Sequence, residues 1–86
     1  MPEQIDIQIG RRLRARRRLL DLTQQQLGQA CGVGFQLVQK YECGICRISA
    51  SRLWDLSQAL DVGVGYFYEG MAPPKAPADE ATGARV

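Results

Sequence analysis

The sequence predicts an all-α protein, a compact bundle of four to five short helices. Three observations carry this: apolar residues recur at helical spacing in successive stretches, glycine or aspartate punctuates them, and no stretch alternates with period two over a strand's length. In the first helix, Ile9, Leu13 and Leu20 fall within about 40° of one another at 100° per residue. Arg16 and Arg17 flank this stripe, and Asp21 stands where a helix end often needs a left-handed residue. Thr23 opens a second helix, with Gln26 three residues on to complete a capping box. Leu27 and Cys31 supply its inner face. Gly32 can take the positive φ that a sharp turn between helices requires. A third helix runs from Phe35 to Cys43, turns Val38 and Tyr41 inward, and stops at Gly44. Ser49 caps a fourth, in which Leu53, Leu56 and Leu60 form the stripe. A short fifth segment, GVGYFYEG, adds Val64, Phe67 and Tyr68.

The 86 residues, 45% of them hydrophobic, suit one small domain. Residues 1–8 read as a lead-in, 9–70 as the helical unit, and 71–86 as a flexible tail containing Pro73, Pro74 and Pro77. The other reading of the tail is a protein-binding segment. No run approaches a membrane-spanning length and no secretory signal is visible, so the expected location is the cytoplasm, with reduced thiols. Three cysteines, an odd number, also argue against a disulfide framework. The net charge is only +2, yet six of the eleven basic residues lie in RRLRARRR, Arg11 to Arg18. That concentration suits an anionic partner.

The two short helices joined at Gly32 have the outline of a helix-turn-helix. The stretch LTQQQLGQACGVGFQLVQKYECG, Leu22 to Gly44, resembles the lambda-repressor-like (Cro/XRE-type) DNA-binding family. The likeness extends from IGRRLR at Ile9 to LSQALDVGVGYFY ending at Tyr68, and FQLVQKYE is similar to the FQQVQKYE of a bacterial subgroup. The resemblance implies that Thr23 caps the first motif helix, and that Thr23 and Gln24 meet a DNA phosphate there. It implies that Val38 and Tyr41 anchor the recognition helix, and that Arg17 and Glu42 form an ion pair between helix one and the end of that helix. It places Phe35, Gln36, Gln39 and Lys40 on the face presented to the major groove.

The residue chemistry agrees. Glutamine can bond bidentately to adenine and lysine can donate to guanine. Gln36, Gln39 and Lys40 share one helix face at i, i+3 and i+4. Taken without the flanking pattern, they would read as an ordinary solvated face. Lys40 has a phosphate as its other option. Phe35 departs from the family's usual polar residue, and either presses on a thymine methyl or folds against the core. Gly34 replaces the usual Ser or Thr cap, Leu37 is more apolar than the family pattern, and Asp21 replaces a glycine. Arg11, Arg12 and Arg47 are further expected phosphate contacts. Tyr66 and Tyr68 are the candidate dimer surface, while Val64 and Phe67 complete the core.

Cys43 and Cys46 form a C-x-x-C. A structural zinc site needs about four ligands, and the chain has no histidine. Cys43 also falls at a helix C-terminus, where the dipole disfavours thiolate. The pair reads as small residues placed by chance, with a thiol switch as the alternative. No metal, cofactor or catalytic constellation is expected. The expected function is a sequence-specific DNA-binding regulator, a repressor, acting as a homodimer on a two-fold operator in double-stranded DNA. The alternative is an antitoxin-like or adaptor module on the same fold that grips another protein. A nonspecific architectural binder is disfavoured by the small net charge.

Overall fold

In a computed structural model, residues 3–71 are described. They form helices α1 (Gln4–Leu19), α2 (Gln24–Cys31), α3 (Phe35–Cys43) and α4 (Ala50–Ala59), then a 3₁₀ helix, η1 (Val64–Tyr68). Helix α1 packs on α3 and η1, α2 on α3 and α4, and α4 closes against η1. Leu13, Leu27, Val38, Leu56, Leu60 and Phe67 are wholly buried at their meeting point, with Ile9, Cys31, Tyr41 and Leu53 around them. Among the described residues there is no strand.

Helix α1 starts earlier than its apolar stripe predicts. Residues 4–8, set apart in the sequence as a lead-in, are its first turns. Ile5 continues the apolar spacing at i−4 from Ile9, although it is 57% exposed in the fold. At the other boundary, Met71 belongs with the fold rather than the tail. It is half-buried against the core, and its N–H donates to the Tyr68 carbonyl. The rest of the expected tail, 72–86, lies outside the described residues.

All four α-helices end in the same way. At α1 the N–H of Leu22 returns to the Arg17 carbonyl and that of Asp21 to Arg18, with Asp21 at φ 60°. Asp61, at φ 57°, closes α4 with the equivalent pair of bonds. Gly32 and Gly44 close α2 and α3, both at φ 76°. These paired reverse bonds satisfy carbonyls that the helix leaves free. The resulting abrupt reversals keep the loops short and fix the angle between α2 and α3.

Two glycines let α1 and α3 touch backbone to backbone. A Cβ on Gly10 would lie 2.7 Å from the Glu42 carbonyl oxygen, and one on Gly44 would lie 2.8 Å from Ile7 Cα. Any larger residue at either point would drive α3 away from α1. The placement of α3 is thus set by contact with α1 along its C-terminal half.

Candidate nucleic-acid interface

Helix α3 divides cleanly. Val38, Tyr41 and Glu42 are buried, whereas Gln36, Gln39, Lys40 and Cys43 are exposed on the other face, with exposed Phe35 at the edge between them. Phe35 is 46% exposed, so it joins the outer face rather than folding into the core. Leu37 instead lies half-buried against the core. Gly34 gives α3 no side-chain cap.

Beside this face stands the start of α2. The Thr23 hydroxyl accepts from the Gln26 N–H at 3.0 Å, and the Gln26 side chain accepts from the Thr23 N–H at 2.8 Å. The capping box therefore uses two of the four donors that a helix start leaves free, and the N–H groups of Gln24 and Gln25 stay available to an anion. The Gln24 side chain is held: its Nε2 donates to Glu42 Oε1 at 3.1 Å.

Glu42 is the hub. Arg17 meets it with two bonds, Nε to Oε2 at 2.5 Å and Nη2 to Oε1 at 3.1 Å, while Arg17 Nη1 donates to the Leu22 carbonyl at 2.7 Å. Both side chains are about nine-tenths buried or more, at 11% and 3% exposure. A bidentate guanidinium fits a carboxylate in this way, and the extra bonds to Leu22 and Gln24 complete the buried hydrogen bonding. One ion pair thereby ties α1, the α1–α2 turn, the start of α2 and the end of α3.

The arginines of α1 separate by direction. Arg12 Nη2 donates to the Glu69 carbonyl at 2.6 Å, its guanidinium sits 5.7 Å from the Tyr66 ring centre, and the Tyr66 hydroxyl donates to its carbonyl at 3.0 Å. Arg16 Nε donates to the Leu60 carbonyl at 2.9 Å. Both clasp the C-terminal end of the fold, so Arg12, an expected phosphate contact, already has an internal partner. Arg11, Arg14 and Arg18 are exposed. At 100° per residue, all three lie within about 40° of Ile7, on the flank of α1 that touches α3, whereas Arg12 and Arg16 lie on the far side. Arg47 is 74% exposed and reaches the largely covered Asp6 carboxylate at 3.4 Å. Its guanidinium remains largely open to solvent.

A helix-turn-helix family profile matches residues 13–67. The chain belongs to the helix-turn-helix family, lambda-repressor-like in type. HTH-type transcriptional regulators of Sinorhizobium medicae and Rhizobium meliloti are each 48% identical over 68 residues, covering 79% of this chain and 49% of theirs. A regulator in the ATPase CF(0) region of Rhodospirillum rubrum is 48% identical over 67 residues, covering 78% of this chain and 62% of its own. The chain thus spans about half the length of the first two relatives. Among solved structures, the P22 c2 repressor bound to a synthetic operator superposes with a TM-score of 0.68 at 32% identity, covering 72% of this chain and 94% of that one. The restriction-modification controller protein C.AhdI from Aeromonas hydrophila gives 0.70 at 27%, covering 72% and 90%.

Tyr66 is not a free surface residue: it is half-buried, bonded to Arg12 and packed edge-on against Phe67 with ring centres 5.5 Å apart. Tyr68 is 42% exposed. Cys43 and Cys46 are free thiols, exposed and half-buried. Burial pushes the Cys31 thiol up, Asp55 adds to this, and Arg52 opposes it. Among the described residues no three metal-ligating side chains gather into a cluster, and no helix is long and apolar enough to cross a membrane.

The Gln24–Glu42 bond, the Arg12 and Arg16 clasps, and the close approaches at Gly10 and Gly44 leave no local pattern in the sequence. The only prior signal for Gly10 was a glycine inside a helical pattern, which calls for a packing reason.

Proposed function

We propose that this chain is a sequence-specific DNA-binding transcriptional regulator, a repressor, that inserts α3 into the major groove. The observation that carries the reading is the exposed Phe35–Gln36–Gln39–Lys40 face with the start of α2 locked beside it through Glu42. The glutamines and Lys40 carry the groups that read adenine and guanine edges, and Phe35 is placed to press on a thymine methyl. Thr23 and Gln24 at the α2 terminus, Arg11 on α1 and Arg47 beyond α3 would hold the phosphate backbone, joined by Arg14 and Arg18. Operator binding by the P22 c2 repressor supports this assignment. The role is binding without catalysis, carried out where bacterial DNA lies, in the cytoplasm.

One unit of this size reads few base pairs, so the regulator is proposed to act as a homodimer on a two-fold operator. Exposed Tyr68 supports a dimer surface at η1; Tyr66 contributes only by buttressing it. Selection of bound sequences from a random duplex pool at about 150 mM salt tests the whole reading. The expected result is a two-fold motif with half-sites about ten base pairs apart. Recovery of no motif would contradict it and favour the protein-binding alternative.

A further inference from the structure

We propose that Glu42 is a positioning residue for DNA binding, acting through Gln24 rather than touching DNA itself. This rests on the proposed phosphate contact of Gln24. A carboxylate only accepts hydrogen bonds, so the bond from Gln24 Nε2 to Glu42 Oε1 at 3.1 Å fixes which way the amide is turned. The amide nitrogen has two protons and Glu42 takes one. The second proton is left at the helix start, in the company of the Gln24 and Gln25 N–H groups, which the capping box does not use.

A carboxylate beside a phosphate would ordinarily weaken binding. Arg17 removes that objection, because its two bonds neutralise Glu42 in a site that water barely reaches. The pair thus presents Gln24 with an acceptor that is geometrically fixed but carries little net charge. Gln24 has no need to lose rotamer freedom on meeting DNA, since Glu42 has already ordered it. Glu42 lies on α3 and Gln24 on α2. The same bond therefore sets the phosphate donor in register with the base-reading face.

The test is a mutant cycle on the operator recovered from the duplex pool. Arg17→Met with Glu42→Met replaces the buried pair by apolar side chains of similar length, which keeps the fold where removing one partner would not. This change is expected to weaken operator binding about tenfold when Gln24 is present, and by less than about twofold in a Gln24→Ala background. Equal losses in both backgrounds, or none, would overturn the proposal. Side-chain amide relaxation in the unmodified protein gives an independent readout. The Gln24 amide is expected to be as rigid as the backbone and those of Gln25 and Gln36 mobile; a mobile Gln24 amide would also overturn it. If the unmodified protein recovers no operator, the DNA-binding reading itself fails and this inference falls with it.

Discussion

Gly10 on α1 and Glu42 on α3 meet through backbone alone: a Cβ on Gly10 would lie 2.7 Å from the Glu42 carbonyl oxygen. The residue that organises the interface is thereby held from both ends. Its backbone rests on Gly10 and its side chain is clamped by Arg17. Gly10→Ala should cost about 2–3 kcal/mol, since backbone must move to admit the methyl group. Gly65→Ala, where a Cβ meets nothing within 4 Å, should be neutral or slightly stabilising. Urea unfolding of the two variants checks the contrast.

The Arg17–Glu42 pair is buried enough that its two halves depend on each other. Arg17→Met alone should destabilise the fold by about 3–5 kcal/mol, because it strands a buried carboxylate. Adding Glu42→Met should restore stability to within about 1 kcal/mol of the parent. Thermal melts of the single and double variants decide this, and a double variant as unstable as the single would refute it.

The exposed and clasped arginines of α1 should behave differently towards salt. Replacing Arg11, Arg14 and Arg18 together by Gln should flatten the plot of log affinity against log salt by about 2–3 units of slope, with base preference unchanged. Arg12→Gln should leave the slope nearly as it was and lower stability instead, through loss of the bond to the Glu69 carbonyl. Titrations at several salt concentrations separate the two.

Asp21 and Asp61 hold left-handed conformations at φ 60° and 57°. Each also places a negative charge at the end of a helix, where the dipole opposes it. Replacing either by Gly should stabilise the fold by up to about 1 kcal/mol, by relieving the conformational strain. A drop in melting temperature would show that these aspartates make contacts that outweigh the strain.

Much of this architecture was legible in the sequence because its signals are local. The Thr23–Gln26 box, the left-handed Asp21 and the inward Val38 and Tyr41 are decided by neighbours a few residues away. The first turns of α1 escaped because no capping residue marks their start: Glu3 makes no side-chain cap bond, although Ile5 continues the spacing at i−4 from Ile9. The clasp of Arg12 is invisible in the sequence because its partner carbonyl lies 57 residues along the chain. A basic residue in an arginine run gives no sign of whether it faces solvent or the far end of the fold. The bond of Tyr66 is hidden for the same reason: its partner, the Arg12 carbonyl, is 54 residues distant.

The most direct test of the central claim is the affinity of Gln36→Ala for the selected operator and for operators with each base pair changed in turn. The expected result is a loss of about 10–100-fold on the operator, relaxed preference at one base pair, and unchanged affinity for random duplex. Unchanged operator affinity, or a loss spread evenly over all duplexes, would contradict it.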